Sequence, residues 1–378
     1  MNIVFDFTNN LYITFFIGFC VIASISLIYY IFIFSKLAFY KKGDINDNPP
    51  PVSVIIVGKN EIDNFKSKLG LIIKQDYHEF EVIVVNDCST DGSLVYLSEL
   101  SREYPNFKLI DNKLEERFAL GKKLGLTLGI KGAKYDYVLL TDADCVPNSK
   151  DWISTIMRNY NNKTEIVLGY SPYFYKKGFL NLLIRWETFI TAFKYFSFSL
   201  SGLTYMGVGR NLSYKKNIFF DNKGFASHYN MFSGDDDLFI NEVAKQNNTR
   251  IEIEESSFTY SEPKETFEDW FIQKKRHLTT GFKYKLRNKL MLGILSISEW
   301  LFYILFATLL ILNFNIIIVL SIFLIRYFVQ IGFLYLIKTK LKEKTLYIYL
   351  YPFIELFFMF FYTYIAYSNI FHKPKKWN

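Results

Sequence analysis

Apolar positions along the chain fall into three patterns. From about Leu11 to Phe34 they form a run without a charge, closed by Lys36, Lys41 and Lys42. At about 1.5 Å per residue in a helix, such a run reaches across a hydrocarbon core roughly 30 Å thick. It is longer than a signal-peptide core and no basic residue precedes it, so it is expected to stay as an anchor. Between residues 52 and 140 the pattern changes. Short β-branched runs at 52–57 (VSVIIV), 81–85 (EVIVV), 108–110 and 137–140 (YVLL) alternate with helical spacing at 61–74, 93–103 and 119–131. Strands apolar on both faces, separated by helices, predict an α/β domain with a mostly parallel sheet covered on both sides.

The last quarter of the chain returns to long apolar runs, at 292–313, 315–337 and 346–367, each with one charge: Glu299, Arg326 and Glu355. Charges inside a membrane are costly and face partners, so an Arg326–Glu355 contact is the candidate pairing. About four transmembrane helices are therefore expected. The predicted organisation is an anchor and linker at 1–48, a cytosolic α/β domain at 49–290 and a membrane region at 291–378. Pro49, Pro50 and Pro51 stiffen the junction after the anchor. One more apolar stretch, 178–203, contains Arg185, Glu187 and Lys194. Each such charge opposes insertion by ~2.5–3.5 kcal/mol at a helix centre. A helix lying on the membrane surface is expected there, with a buried core helix as the alternative.

Lysines set the orientation. Those after the first run, and those from Lys338 to Lys344, place the α/β domain and the third connection on the cytoplasmic side. Lys373, Lys375 and Lys376 would then lie outside if the last run crosses fully, against the trend, and whether it crosses stays open. The hydrophobic share of 51% and aromatic share of 19% are explained by the membrane runs, and the middle of the chain reads as a soluble domain. The net charge of +8 suits an anionic membrane surface or phosphate-bearing substrates. No dense basic run interleaved with aromatics is present, so nucleic acid is not an expected partner. Cys20, Cys88 and Cys145 lack metal-ligand spacing and read as reduced thiols.

The candidate chemistry lies at the strand ends, where ligands bind in parallel sheets. The first strand runs into Gly58, Lys59, Asn60 and Glu61. The second runs into Asn86, Asp87, Cys88, Ser89, Thr90, Asp91 and Gly92, and the fourth into Thr141, Asp142, Ala143 and Asp144. Carboxylates gathered on one edge repel unless a cation joins them, and hard oxygen ligands suit Mg2+ or Mn2+. No dinucleotide-binding or P-loop glycine pattern occurs.

These residues resemble the family 2 glycosyltransferases of the GT-A (Rossmann-like) fold over about 51–284. The resemblance rests on VSVIIVGKNE, VIVVNDCSTDGS, GKKLGLTLGIKGAKYDYVLLTDADCVP, YMGVGRNLSYKK, SGDDDLFINEVAKQ and QKKRH, standing in the family's order. It implies an enzyme that moves a sugar, with inversion, from a nucleotide-diphosphate sugar to a lipid-linked or polysaccharide acceptor. The expected setting is a bacterial plasma membrane and the expected donor a UDP-sugar. It also implies roles. Asp87, with Asn60 and Glu61, would hold the nucleoside, and Lys122 would approach it. Asp142 would lie near the ribose or the metal, and Asp144 would ligate Mn2+ or Mg2+. Asp235, with Asp236 one residue away, would be the base, and Gln273 and Arg276 would reach over the leaving diphosphate. The chain departs from the pattern at three points. Val57 and Gly58 stand where the first loop carries Pro, Gly234 replaces the Glu before the base, and His277 replaces the Trp that ends the last motif. The last departure, with so few spans, favours single addition over a processive polysaccharide synthase. A nucleotidyl or other phosphoryl transferase is the competing enzyme, and a nucleotide-sugar-binding scaffold or sensor without turnover is the competing non-enzyme.

Overall fold

The computed structural model describes residues 7–113, 122–344 and 346–371. The chain divides into two compact units, one of residues 1–40 and 286–363, the other of 41–285 and 364–378.

The second unit is built on β1 (Val52–Gly58), β2 (Phe80–Asp87), β3 (Phe107–Asn112), β4 (Tyr137–Asp142), β6 (Ile166–Gly169), β7 (Leu212–Lys215) and β8 (Thr249–Glu252). These make a seven-stranded sheet in the order β3-β2-β1-β4-β7-β6-β8, while β5 (Val146–Pro147) pairs with β9 (Thr259–Tyr260). The pairs β1–β2, β1–β4, β2–β3 and β6–β8 are parallel, and β7 runs antiparallel to both β4 and β6. Every residue of β1 is buried, as expected of a strand covered on both faces. One core gathers Val54, Val84 and Leu139 of the sheet with Phe65, Leu97 and Trp152 from the helices on it.

The helix Lys123–Gly132 leads from β3 back to β4. Glycines let it lie close on the sheet: a Cβ at Gly125 would sit 2.5 Å from Val57 Cγ1, and one at Gly129 would sit 2.6 Å from Ile55 Cγ2. Gly125→Val is therefore expected to cost about 1–3 kcal/mol by overpacking, read as a lowered midpoint in chemical unfolding. An unchanged midpoint would refute this packing. The beginning of the helix expected at 119–131, with Leu120, lies outside the described residues.

The stretch expected on the membrane surface is instead a core helix, Phe179–Leu200, with Leu183, Trp186, Phe189 and Phe193 buried. Its charges are accommodated inside the domain. Glu187 accepts from Lys274 at 2.5 Å, and Arg185 lies over the ring of Tyr175 at 5.4 Å. Paired charges no longer require water, so the helix is buried despite them.

The first unit contains helices long and apolar enough to cross a membrane. Four such segments occur among the described residues: Asn10–Ala38, Leu286–Ile311, Ile316–Lys340 and Ile348–Phe371. Phe19, Phe302, Leu309 and Val319 form the buried apolar contact between the first three. The charges of two of these segments meet as expected. The Arg326 guanidinium donates to both Glu355 oxygens at 3.0 and 3.1 Å. Tyr303 Oη (2.6 Å) and Gln330 Nε2 (3.2 Å) also donate to Glu355. Removing one partner would leave a buried charge unpaired, the costliest way to break such a cluster.

Candidate active site

Sheet register decides which residues meet. Val57 lies opposite Val85 on one side and Asp142 on the other, Gly58 lies opposite Asn86, and Asp87 opposite Asn112. The ends of β1, β2 and β4 are therefore level, and the residues after them share one edge. Asn60 takes a left-handed conformation (φ 56°) that Asn tolerates better than most residues. Its N–H donates to Ser89 Oγ at 2.9 Å, and its Oδ1 accepts from the Thr90 N–H at 2.8 Å. Asp91 accepts from the N–H groups of Ile62 (2.9 Å) and Ser93 (3.0 Å), and from Ser93 Oγ (2.6 Å). Burial opposes its charge, but these hydrogen bonds hold its carboxyl below the usual range. Asp91 is thus a brace between the two loops. Asp87 is buried at the end of β2 and accepts from Asn112 Nδ2 at 2.6 Å. Glu61 accepts from Asn64 Nδ2 at 2.5 Å, and burial, then Asp144 and Asp142, raise its carboxyl.

The turn after β4 carries the paired carboxylates. Asp142 forms an ion pair with Lys122, and its side chain keeps 36% of its surface accessible. Burial works against the Asp142 charge, but Lys122, with Arg210 and Arg276, outweighs it and lowers its pKa. Burial likewise opposes the Lys122 charge, and Asp142 and Asp235 more than restore it. Asp144 is pushed up by burial and by Asp142. Two carboxylates two residues apart, one strained by its neighbour's charge, fit a site that receives a cation. Among the described residues no group of three or more His, Cys, Asp or Glu converges as a complete metal cage.

The acidic triplet divides by partner. Asp236 accepts from the N–H groups of Asp237 (2.7 Å) and Gly209 (2.8 Å), so it caps the helix Asp237–Val243 and ties it to the segment before β7. Burial and the flanking Asp235 and Asp237 push its carboxyl up to about 8. Asp237 accepts from Thr280 Oγ1, and from Tyr284 Oη at 2.8 Å, joining that helix to the end of the domain. Asp235 is half-buried and, among the described residues, makes no hydrogen bond; its charge acts on Lys122 and Lys123.

Residues 53–221 match the family model described as glycosyl transferase family 2. The chain carries a family 2 glycosyltransferase domain. A glycosyltransferase of Haemophilus influenzae is 32% identical over 127 residues, covering 34% of this chain and 38% of that protein. The poly-β-1,6-N-acetyl-D-glucosamine synthase of Staphylococcus epidermidis is 31% identical over 123 residues, covering 32% of this chain and 28% of that protein. The matched stretches thus span less than two-fifths of either relative. A mannosyltransferase from Pyrobaculum calidifontis, solved with GDP-Man and Mn2+, aligns over 89% of this chain and 99% of its own at 18% identity with a TM-score of 0.56, which shows the shared fold.

Gln273, Arg276 and His277 lie on the helix Phe267–His277, begun by Thr266, whose Oγ1 accepts from the Asp269 N–H at 3.1 Å. Gln273 Nε2 reaches the Tyr173 hydroxyl at 3.4 Å, and the charge of Arg276 acts on Asp142. Asn211 is an internal brace. It is fully buried, donates to the carbonyls of Tyr170 (2.9 Å) and Ser257 (2.8 Å), and accepts from Trp152 Nε1 (3.1 Å). Two further residues of the site escaped the sequence reading. Lys123 is buried and donates to the carbonyls of Met231 (2.5 Å) and Ser233 (2.8 Å), holding the strand of chain that leads into Asp235. Its signal was present: it stands three and seven residues before Leu126 and Ile130, on the buried face of the helix. Arg210 acts electrostatically on both Asp142 and Asp144. Nothing in its local pattern distinguishes it from an ordinary residue before a strand.

Proposed function

We propose that this chain transfers one sugar at a time from a nucleotide-diphosphate sugar to a lipid-linked or glycan acceptor at a bacterial plasma membrane, with its catalytic domain in the cytoplasm. The observation that carries the reading is the meeting, on one sheet edge, of the Asp142–Asp144 turn, the cations Lys122, Arg210 and Arg276, and the carboxylate of Asp235, which makes no hydrogen bond among the described residues.

In this reading the loops at 58–61 and 86–92 hold the nucleoside, with Asp87 at the end of β2. Asp144, helped by Asp142, would hold Mn2+ or Mg2+ against the diphosphate. Such an ion supplies Lewis-acid neutralisation of the charge that builds on the leaving oxygen. Arg276 lies close enough to act on Asp142 and supplies fixed positive charge to the same end, with Gln273 beside it. Asp235 takes the proton of the attacking acceptor hydroxyl. A single displacement of this kind inverts the configuration at the sugar carbon. A UDP-sugar is the expected donor. The neighbouring fold solved with GDP-Man makes a GDP-sugar the second candidate. The family relative that makes a polysaccharide favours a processive alternative.

Both questions are answered by one assay. Purified protein in detergent, given UDP-, GDP- and dTDP-sugars with membrane lipid extract, is expected to turn over one donor and yield products longer by one sugar. A ladder of long chains would replace single addition with processive synthesis.

A further inference from the structure

Arg210 is a fixed cation at the acidic edge to which the scheme above gives no task. Its backbone is pinned: the carbonyl accepts from Thr141 Oγ1 at 3.0 Å and from Thr259 Oγ1 at 2.9 Å. Its side chain is pinned as well. Nη1 donates to Ser261 Oγ at 2.5 Å, and the guanidinium lies over the Tyr173 ring with 4.3 Å between them. Tyr173 is itself the group that Gln273 Nε2 reaches, at 3.4 Å, from the helix carrying the last motif. The guanidinium is thus clamped between a ring and a hydroxyl, and its clamp is linked to that helix.

A guanidinium has five N–H donors. Among the described residues Arg210 uses one of its side-chain donors, on Ser261, and none of the others is both buried and unpartnered. Arg210 is half-buried, so its side chain is not wholly enclosed by the domain. Arg210 lies in the field of Asp142 and Asp144, yet forms no ion pair with either among the described residues. Lys122 is different, because its charge is already committed to Asp142. A planar fork held in place before the ligand arrives, with donors to spare, is suited to bidentate contact with phosphate oxygens.

We propose that Arg210 forms a diphosphate subsite, its free guanidinium edge binding the phosphate oxygens of the donor and holding them as the leaving group departs. The inference rests on the glycosyltransfer reading. In that reaction the bond between the sugar carbon and the bridging phosphate oxygen breaks, and its electron pair stays on the diphosphate. The acceptor oxygen forms the new bond to carbon, and its proton passes to Asp235. Arg210 meets the charge that appears on the diphosphate, and Tyr173 and Ser261 are its positioning residues.

The test compares nucleoside diphosphate with monophosphate, because a phosphate subsite distinguishes them and a scaffold role does not. Binding of UDP, UMP, GDP and GMP is measured by calorimetry on the full-length protein in detergent, for the native chain, Arg210→Met and Arg210→Lys. For the base that the native chain accepts, Arg210→Met is expected to weaken the diphosphate about tenfold or more, from the loss of charged hydrogen bonds, and to leave the monophosphate within about twofold. Arg210→Lys is expected to recover part of the diphosphate affinity. Equal weakening of both ligands, or of neither, would overturn the subsite while leaving glycosyl transfer standing. A native chain that binds none of the four nucleotides would instead overturn the glycosyltransfer reading and this inference with it.

Discussion

Asp235→Asn is expected to lower the rate of sugar transfer by about 10²–10⁴-fold, the range for a lost general base, while Asp236→Asn lowers it less than about tenfold. The two residues are adjacent and chemically identical, so the difference comes from their partners. Both oxygens of Asp236 are engaged by backbone N–H groups, at 2.7 and 2.8 Å, and its carboxyl is pushed up to about 8 by burial and its neighbours. That upward push favours the uncharged carboxyl, which the amide resembles in charge. Its loss of one acceptor oxygen is expected to cost roughly 1 kcal/mol of stability rather than the chemistry. Asp235 has no hydrogen-bonding partner among the described residues, and its charge acts on Lys122 and Lys123. The check is kcat for both variants beside their donor affinity. Equal losses in the two, or a fully active Asp235→Asn, would remove Asp235 from the role of base.

The second large effect is expected at Asp144. Asp144→Asn should reduce turnover roughly 10³-fold, about 4 kcal/mol, with the several kcal/mol that a metal ion supplies to developing charge. A chelator should do the same to the native chain, and added Mn2+ or Mg2+ should restore only the native chain. The physical reason is the crowding of Asp142 and Asp144: burial and the Asp142 charge both raise the Asp144 carboxyl, and a cation relieves that repulsion. Lys122 forms its ion pair with Asp142, and Asp144 forms none among the described residues. Full activity of the native chain in chelator would show that the fixed cations suffice alone.

Several features were readable in the sequence because one physical demand dictates each. A β-branched run such as VSVIIV has to be buried on both faces, and it is β1, with both neighbours parallel. A charge in each of two apolar runs has to find a partner, and Arg326 finds Glu355. Strands ending in Asn, Asp and Gly mark the edge where polar groups converge, and the register brings them level. Other features depend on contacts that local pattern does not encode. The charges of 178–203 pointed to the membrane surface, but Lys274, far along the chain, pairs with Glu187 and the helix is internal. The triplet at 235–237 is three equal carboxylates in sequence. The hydrogen bonds from Gly209, Thr280 and Tyr284 separate the two structural residues from Asp235, which makes none among the described residues. Arg210 looked ordinary because its ring and hydroxyl partners, Tyr173 and Ser261, come from distant segments.

The central claim is transfer of a sugar with a nucleoside diphosphate as the leaving group. The most direct measurement is the identity of the phosphorus-containing product released from the accepted nucleotide-sugar by the purified chain, resolved by phosphorus NMR. A nucleoside diphosphate is expected in equal amount to the sugar transferred, and none from Asp235→Asn on the same time scale. Release of a nucleoside monophosphate, of pyrophosphate when a nucleoside triphosphate is offered instead, or of nothing from any donor would contradict it.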